Sequence, residues 1–542
     1  MRKMTIFLLS VSLSLTGIVC YGGCAYAVES AKARTGISLE KPVAYEPAWS
    51  DRPAPMIDSQ RQVYERGMNA FNLPGPPLPQ TGILDDGAPG AETAPCKETA
   101  VLDAISQEDA SKVHPLQHAP AGFVLEHNTT LGSILPTGSA SHVLEPAVAI
   151  DGKFIFYTAN FFAARSKDSG STWSYVNAYG GFQDFCCDQD TVYDPGRRAI
   201  IWYRMGFPGT TTGENVVKIG VSTNGGASFC THTIAPTNID PAWTGQWLDY
   251  PHLALSNDYL WIATNMFDKA QAWTRTIMMK MSLDSLAACE APAISVFSST
   301  SRFNFTPVQG ATTAMYWATH NTTSSMRIYK WREDSSTVDW VNRAIPTWTA
   351  TTRGSAVCTT LDSRNPCARF DDRIVSGWIA NWDTLPGERV LGFFWNVKQG
   401  GPFPKPYTNG AVFKERNRAY VGRPYIWSGD GAWIYAYGSP NARGNLGLSV
   451  THVSDYPHHY VGIDDDFNDA PPRWRLKRTA TGSAGPIDDK WGDYLRVRPL
   501  SPAGLLWGAT GYTLDSSGLT VPRYVVFGRG RDEGAYLRWL NK

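Results

Sequence analysis

The 542-residue sequence has few charged residues, few histidines and only one long apolar run. Charged side chains make up 18% of the chain, and 49 basic residues balance 49 acidic ones, so no basic stripe indicates a nucleic-acid partner. No segment beyond the N-terminus is apolar enough to span a bilayer. The sequence also contains no nucleotide-binding loop, zinc signature, CxxC pair or nucleophile elbow. We therefore expect a neutral globular protein with no cofactor and no metal site.

The one long apolar run lies within the first 27 residues, which have the three parts of a secretory leader. Arg2 and Lys3 supply the positive start, and residues 6–19 form an apolar stretch too short to favour a membrane span. Ala25-Tyr26-Ala27 places small residues where a signal peptidase reads them. These features predict a signal peptide over residues 1–27 and a secreted or periplasmic protein.

Seven of the nine cysteines follow the predicted leader, and an exported compartment permits disulfides. The pairs predicted to bridge are Cys358 with Cys367 and Cys230 with Cys289. Neighbouring residues do not easily bridge each other, so we expect no bond between Cys186 and Cys187. One of these two is instead expected to reach Cys96, and the odd count leaves at least one free thiol.

Residues 28–142 differ in composition from the rest of the chain. Residues 73–79 read Leu-Pro-Gly-Pro-Pro-Leu-Pro, a stretch in which proline removes backbone donors and prevents a helix or a central strand. The region predicts an irregular N-terminal arm or linker that wraps the main body. The folded domain is then expected over residues 143–542.

That second region repeats one order of features seven times: a polar cluster, an alternating segment, a turn and a strand. The clusters start 43 to 68 residues apart, a period typical of radially repeated four-stranded sheets. One such sheet cannot bury both faces alone, so the repeats must stack around an axis. The clusters begin at residues 145, 188, 249, 309, 371, 423 and 491, and the predicted strands are 153–159, 199–204, 259–265, 314–320, 390–395, 433–437 and 505–510.

Two turns between predicted strands have a recognisable form. Residues 166–173 read Ser-Lys-Asp-Ser-Gly-Ser-Thr-Trp and match the Asp-box pattern, Ser-x-Asp-x-Gly-x-x-Trp, at every defined position. Residues 222–229 are a weaker copy with Asn224 for the aspartate and Phe229 for the tryptophan. In such a turn the aspartate accepts turn N–H groups, the glycine takes an unusual φ and the tryptophan packs beneath.

With these turns the chain resembles the Asp-box (BNR-repeat) sialidase-like β-propeller superfamily. The resemblance implies an all-β fold, a β-propeller, which the repeat count makes seven-bladed, with six blades as the alternative. The turns themselves are then structural. Sialidases carry an Arg-Ile-Pro-like motif before the first Asp-box, whereas this chain has Leu144-Glu145-Pro146 there. The resemblance therefore implies carbohydrate chemistry rather than true sialidase activity.

The starts of the innermost propeller strands open onto one mouth, so the seven polar clusters are predicted to converge there. Hydrolysis of a glycosidic bond needs one carboxylic acid and a second group that acts as base or nucleophile. For each carboxylate the alternative is a strand-end cap or an ion pair with a nearby arginine. The catalytic candidates are Asp190, Asp249, Asp372, Asp493 and Tyr494, and the substrate-binding candidates are Glu145, Asp188, His252, Arg373, Arg423 and Trp247.

Three functions remain open from the sequence. The first is a secreted glycoside hydrolase acting on a complex or acidic glycan, because clustered arginines suit a carboxylate-bearing sugar. The second is a polysaccharide lyase in which histidine and tyrosine remove the proton next to a uronate carboxylate. The third is a non-catalytic propeller that binds a glycan or a protein. The crowding of charge at the mouth favours an enzyme, since the centre of a protein-binding face is usually depleted in charge.

Overall fold

The structure, a computed structural model, describes residues 28–47, 49–50, 122–131, 134, 141–382, 385–465 and 474–540. The predicted leader and Cys96 lie outside the described residues. Strand accounts for 52% of the structure and helix for 6%, so the prediction of an all-β chain is confirmed. Five strands precede residue 142: β1 (Glu29–Lys32), β2 (Arg34–Ser38), β3 (Val43–Tyr45), β4 (Trp49–Ser50) and β5 (Phe123–Thr130).

The remaining strands form small antiparallel sheets, which we number as units in chain order. Unit 1 contains β6 (Ala147–Asp151), β7 (Phe154–Thr158), β8 (Ala163–Ser166) and β9 (Ser174–Val176). Unit 2 contains β10 (Phe185–Asp194), β11 (Ala199–Gly206), β12 (Val217–Ser222) and β13 (Phe229–Ile234). Unit 3 contains β14 (Gln246–Leu255), β15 (Tyr259–Asp268), β16 (Trp273–Ser282) and β17 (Ala293–Ser299). Unit 4 contains β18 (Thr306–Gln309), β19 (Ala314–Thr322), β20 (Ser325–Arg332) and β21 (Thr337–Ala344).

The later units follow the same plan. Unit 5 contains β22 (Ile374–Asn381), β23 (Arg389–Val397), β24 (Tyr407–Lys414) and β25 (Tyr420–Gly422). Unit 6 contains β26 (Ala432–Pro440), β27 (Leu446–Val453), β28 (Pro457–Asp464) and β29 (Arg475–Ala480). Unit 7 contains β30 (Val497–Pro499), β31 (Trp507–Leu514) and β32 (Thr520–Arg529), and its fourth strand is β5 from the N-terminal side.

The first strands of the units lie side by side. Each of β6, β10, β14, β18, β22, β26 and β30 contacts the first strand of the next unit, and β30 contacts β6. A short parallel pairing of Val308 with Gly377 and of Gln309 with Trp378 joins units 4 and 5 into one nine-stranded sheet. The first strands therefore form a closed ring around which the units are arranged.

Aromatic side chains fill the space between neighbouring units. The rings of Phe156 and Trp202 lie 5.0 Å apart between units 1 and 2, and those of Trp261 and Trp331 lie 5.2 Å apart between units 3 and 4. Between units 6 and 7 the ring of Trp507 lies against Gly447, where a Cβ atom would collide with the indole. Strands such as β15 are buried on both faces by this packing, which explains their nearly continuous apolar sequence.

The described part of the predicted arm forms strands rather than the irregular segment we expected. The strands β4, β3, β2 and β1 pair with the outermost strands of units 1, 2, 3 and 4, respectively. Each adds a fifth strand, so the arm runs along the outer edges of four units in the reverse of chain order. An added strand satisfies the backbone N–H and C=O groups that an open sheet edge exposes.

Two eight-residue turns, residues 166–173 and 222–229, share one hydrogen-bond pattern. Asp168 Oδ1 accepts from the N–H of Thr172 at 2.8 Å, and Asn224 Oδ1 accepts from the N–H of Ser228 at 3.0 Å. In both, a serine hydroxyl accepts a glycine N–H at 2.8 Å. Ser169 N–H also donates to the carbonyl of Lys153, which lies beyond the far end of β6. The turns are thus at the opposite end of the strands from Glu145.

Most of the predicted strands fall on the second strand of a unit, but unit 6 differs. The segment 433–437 lies on β26, a first strand, and the polar cluster that begins at 423 directly follows β25, the fourth strand of unit 5. The helices are short: α1 (Pro236–Ile239), α2 (Leu283–Ala287) and α3 (Gly530–Leu540). Across the described residues, no helix combines the length and apolarity that a membrane crossing requires.

The described residues contain three disulfides. The predicted bridges Cys230–Cys289 and Cys358–Cys367 are confirmed. The expectation for the adjacent pair is wrong, because Cys186 and Cys187 are bonded to each other. Cys187 has a φ of 45°, a left-handed conformation that breaks the alternation of side chains along β10 and allows the two sulfur atoms to meet.

Candidate active site at the starts of the first strands

Four carboxyl groups come together where the first strands begin. They belong to Glu145 before β6, Asp188 on β10, Asp249 on β14 and Asp493 before β30. Their residues retain only 7%, 6%, 5% and 6% of their surface exposed, respectively. The charges of Glu145, Asp249 and Asp493 all act on Asp188 and raise its pKa. Like charges brought this close in a buried place favour retention of protons.

Glu145 joins the first unit to the last unit. Its Oε1 accepts the main-chain N–H of Asp493 at 3.0 Å, and its Oε2 accepts from Nδ2 of Asn160 at 2.6 Å. Gly492 permits this approach, because a Cβ there would collide with the carbonyl oxygen of Leu144. The Glu145 carboxyl group is therefore held in one orientation by partners from units 1 and 7.

Glu145 and Asp188 form a carboxyl pair. Burial and the charge of Asp493 raise the pKa of Glu145. Burial, the charge of Glu145 and a hydrogen bond between the two side chains raise the pKa of Asp188 well above its ordinary value. Two carboxyl groups that share a hydrogen bond need one proton between them, so the pair carries a proton into a pH range where exposed carboxylates are ionised.

Asp249, Tyr250 and His252 lie together on β14. Burial, opposed by the N–H of Tyr250 and the charge of Arg373, raises the pKa of Asp249 to about 7. The rings of Tyr250 and His252 meet edge to face at 4.9 Å. The Tyr250 hydroxyl and Nε2 of His252 are buried with no hydrogen-bond partner among the described residues. Burial and nearby arginines hold the pKa of His252 well below its ordinary value, so the imidazole is neutral.

Arginines face this carboxyl cluster from the segment before β22. Arg373 makes two hydrogen bonds to Asp371, at 2.8 and 2.7 Å, lies 4.0 Å from the Asp493 carboxylate and stacks over the Tyr250 ring at 4.8 Å. Burial and the charge of Arg373 lower the pKa of Arg353, whereas the charges of Asp493 and Asp371 act in the opposite direction. Its Nε and Nη2 are buried without a hydrogen-bond partner in the described structure. Cationic donors thus lie beside the carboxyl groups.

The two carboxyl groups before β22 differ. Burial would raise the pKa of Asp371, but the charge and hydrogen bonds of Arg373 outweigh burial and lower it. For Asp372, burial and the charge of Asp371 raise the pKa to about 7, against a hydrogen bond from the N–H of Thr351. Asp371 is therefore the ionised partner of Arg373, and Asp372 is a second group that titrates near neutrality.

The loop that contains the disulfide Cys358–Cys367 supplies Arg353 and Arg369. The charge of Arg369 acts on the Glu145 carboxyl group. This loop connects β21 of unit 4 to β22 of unit 5 but reaches units 6 and 7. Leu361 N–H donates to the carbonyl of Asp455, and Asn365 N–H donates to Asp489 Oδ1 at 2.6 Å. The loop therefore extends from unit 4 to units 6 and 7, and it brings the charge of Arg369 close enough to act on Glu145.

Three first strands are interrupted near the cluster. The pairing of strands shifts at Cys187 on β10, Tyr250 on β14 and Tyr435 on β26, and these residues have φ values of 45°, 59° and 55°. Bulges of this kind redirect side chains and are common beside active sites. Left-handed conformations at residues other than glycine cost about 1–3 kcal/mol and are maintained only by surrounding contacts. The site is thus built from strained backbone.

Other predicted residues have structural partners. Asp190, fully buried, pairs with Arg496 at 2.9 Å and lies 3.5 Å from Arg498. Tyr494 lies under the Arg496 guanidinium and donates its hydroxyl hydrogen to the carbonyl of Gln189 at 3.0 Å. These side chains are buried. The contacts of Asp190 match the ion-pair alternative that the sequence left open for each carboxylate.

Two predicted binding residues lie outside the cluster. Arg423 follows β25 and donates to Asn409 Oδ1 at 2.8 Å and to the Tyr407 hydroxyl at 3.3 Å. Its place differs from the expected one because the polar cluster at 423 ends a fourth strand instead of beginning a first strand. Trp247 packs on Phe267 at 5.3 Å and donates to the carbonyl of Asp268.

Sequence reasoning missed Asn160, Arg353, Arg369 and Tyr435. The Tyr435 hydroxyl lies 3.5 Å from Asp493 Oδ1. The loop arginines carry no repeat signal, although the predicted disulfide of the same loop could have directed attention to it. No group of three or more histidine, cysteine, aspartate or glutamate side chains arranged to hold a metal ion occurs among the described residues.

Comparisons with known proteins find distant likenesses in structure only. No protein-family profile matches the chain, and no curated protein matches it. An alpha-L-arabinanase of Penicillium chrysogenum is 10% identical over 71% of this chain and 93% of its own, with a TM-score of 0.36. A Hadza microbial sialidase is 11% identical over 79% and 93%, also at 0.36. AofleA from Arthrobotrys oligospora is 10% identical over 63% and 87%, at 0.35. At such TM-scores the likeness carries no argument about function.

Proposed function

We propose that the chain is a secreted glycoside hydrolase of the Asp-box β-propeller kind that acts on an acidic glycan. The observation that carries this proposal is the buried cluster of Glu145, Asp188, Asp249 and Asp493 beside Arg373. A glycosidase needs a protonated acid and a second carboxylate at one place, with environments that separate their pKa values.

The seven units are proposed to be seven blades. The closed order of contacts among the first strands, from β6 round to β30 and back, supports this count. Completion of unit 7 by β5 supports it further, because a strand from one chain end closes the last sheet beside the first. The shared hydrogen bonds of the turns at 166–173 and 222–229 support the Asp-box assignment.

Secretion is proposed from the leader-like residues 1–27 and from the three disulfides. Disulfides persist in oxidising compartments and are rare in the cytosol.

Asp249 is proposed as the general acid. A pKa of about 7 leaves a substantial protonated fraction at neutral pH, which an acid that donates to a leaving oxygen requires. The pair of Glu145 and Asp188 is proposed as the second catalytic group, with Glu145 oriented by Asn160 and the N–H of Asp493. Asp493 then stabilises the positive charge that develops on the sugar ring.

Arg353 and Arg373 are proposed to bind the acidic group of the substrate. Guanidinium groups recognise carboxylates through paired N–H donors, and two N–H groups of Arg353 are buried without protein acceptors in the described structure. Arg373 is already paired with Asp371, so it supplies charge and orientation next to the ring of Tyr250.

A panel of uronate-containing, sialylated and neutral glycans tests the proposal. We expect new reducing ends from acidic glycans without the ultraviolet absorbance of an unsaturated uronate. Asp249→Asn should lower kcat by about 100-fold or more, the usual contribution of general acid catalysis. The matched control is Asp334→Asn, because Asp334 is 68% exposed and lies outside the site. Release of no product from any glycan, with binding retained, would instead support a non-catalytic glycan-binding propeller.

A polysaccharide lyase is the second candidate, and one observation favours it. Tyr250 and His252 lie in ring contact, the hydroxyl and Nε2 lack partners among the described residues, and the imidazole is neutral. A neutral base near arginines can remove the proton next to a uronate carboxylate. Unsaturated products that disappear in His252→Ala, but persist in Asp249→Asn, would favour the lyase over the hydrolase.

A further inference from the structure

The disulfide between Cys186 and Cys187 lies directly before Asp188, in the most distorted part of a first strand. Phe185 pairs with Gly206 and Gln189 pairs with Arg204, so Met205 alone stands opposite the three residues 186–188. The bulges at Tyr250 and Tyr435 contain one extra residue, whereas this one contains two. Among the described residues no other pair of adjacent cysteines is bonded.

The residues on both sides of this bulge are fixed by the protein, and before it the buried Phe185 donates its N–H to the carbonyl of Phe182 at 3.0 Å. Gln189 donates its amide hydrogens to the carbonyls of Ala159 and Phe162, and its Oε1 accepts from Nε1 of Trp202 at 2.7 Å. Asp190 is held by Arg496. The chain beyond the bulge therefore cannot shift, and the direction of the Asp188 side chain depends on how residues 186 and 187 are folded between fixed ends.

Because side chains alternate along a strand, the direction of the Asp188 side chain is sensitive to the conformation of the bulge. Side chains along a strand point to opposite faces, so a change of one residue in register turns a side chain to the other face. Cys187, at a φ of 45°, has a conformation that residues with a Cβ atom adopt only when held there. A covalent bond from Cys187 to its neighbour restricts the backbone between them and removes the extended alternatives.

We propose that the Cys186–Cys187 disulfide is a positioning device that holds the bulge of β10 in the conformation that directs Asp188 onto Glu145. Cys186 and Cys187 are positioning residues, because they act through Asp188 and not on a substrate. The functional half of this inference rests on the proposed role of the carboxyl pair, but the structural half does not.

Three variants test the structural half. In C186A/C187A the bond is lost, and the Cβ atom of alanine keeps the left-handed conformation unfavourable without adding a branched side chain. In C186A/C187G the bond is lost, but glycine adopts that conformation freely. C230A/C289A is the matched control, since it also removes one disulfide but leaves the bulge intact.

The measurement is the infrared C=O stretch of protonated carboxyl groups, recorded against pH. The signal that D188N removes from the wild-type spectrum belongs to the proton shared with Glu145. We expect this signal to titrate at least one pH unit lower in C186A/C187A, to be largely retained in C186A/C187G, and to be unchanged in C230A/C289A. An unchanged Asp188 signal in C186A/C187A overturns the proposal, whatever happens to stability.

Activity separates this inference from the proposed function. If a glycan is cleaved, kcat of C186A/C187A should fall by about 100-fold with KM changed less than about threefold, since catalytic and not binding groups move. C186A/C187G should recover most of kcat. If the infrared signal depends on the disulfide but no glycan is cleaved, the positioning role stands and the hydrolase proposal fails. If C186A/C187A does not fold, C186S replaces it, because this variant loses the bond but keeps the Cys187 side chain; an unchanged Asp188 signal in C186S overturns the proposal.

Discussion

The Glu145 carboxylate accepts a hydrogen bond of 3.0 Å from the main-chain N–H of Asp493, 348 residues later in the chain. This contact joins the segment before β6 to the segment before β30. It therefore has two roles, because the same oxygen atoms belong to the carboxyl cluster and to the junction of the first and last units.

Replacement of Glu145 should show both roles. Glu145→Ala leaves the N–H of Asp493 and the Asn160 amide without acceptors, and an unsatisfied buried group costs about 1–3 kcal/mol. Glu145→Gln keeps an oxygen acceptor and should lose less than half as much. Urea unfolding at one pH compares the two. Equal losses would show that the hydrogen bonds contribute little.

The pair of Arg373 and Asp371 should be costly to break. Their side chains retain only 7% and 12% of their surface exposed, so Arg373→Met leaves a buried carboxylate uncompensated, at a cost of about 3 kcal/mol. The control is Arg332→Met, since Arg332 and Asp334 are 62% and 68% exposed and solvent screens the interaction between them. Thermal unfolding of both variants measures the difference; similar shifts would contradict the assignment.

Asp249 should make stability depend on pH. Its pKa is about 7 in the folded protein and near 4 in the unfolded chain, so the folded state binds the proton more tightly. Its contribution to stability is present below about pH 4 and is lost as pH rises through 7. Asp249→Asn removes this dependence, so its stability relative to wild type should rise between about pH 4 and pH 8, in urea titrations at several pH values.

The pKa of Asp372 is also about 7, so the stability of Asp372→Asn relative to wild type should rise over the same pH range. The exposed Glu290→Gln controls for the loss of one negative charge. A stability difference that does not change with pH in either aspartate variant would contradict the raised pKa values.

The Asp168 turn should tolerate asparagine but not alanine. Asn224 occupies the corresponding position of the turn at 222–229 and makes the same acceptor contact to a main-chain N–H. Asp168→Asn should therefore change stability by less than about 0.5 kcal/mol, and Asp168→Ala should cost about 1 kcal/mol through unsatisfied turn N–H groups. Melting temperatures decide, and activity should be unaffected because the turn lies at the far end of β6 from Glu145.

The sequence predicted much of this architecture because repeats and turns leave local signals. The polar clusters at 145, 188, 249, 371 and 491 do precede or begin first strands, and they supply all four carboxyl groups of the site. The cluster at 423 is also polar, with Arg423 in place of a carboxylate, but it ends a fourth strand. Composition alone cannot distinguish the two cases, since both strand ends lie beside polar loops.

Roles within the cluster depend on details that no pattern encodes. Asp188 and Asp190 are two residues apart on the same strand, yet one faces Glu145 and the other Arg496. The bulge in β10 interrupts the alternation of side chains along this strand. Its left-handed residue is Cys187, whereas a glycine at that position would have indicated the bulge in the sequence. Arg353 reaches the site from a long loop, where spacing along the chain gives no indication of distance in space.

The strand β5 imposes an order on biosynthesis. Residues 123–130 leave the ribosome early, yet their only described sheet partners are residues 523–529 of β32, about 400 residues behind them. The last sheet therefore cannot be completed until residues 523–529 have been synthesised. Contacts this distant in sequence slow folding. For the secreted protein that we propose, the late synthesis of β32 keeps the last sheet open while the earlier part of the chain is being exported.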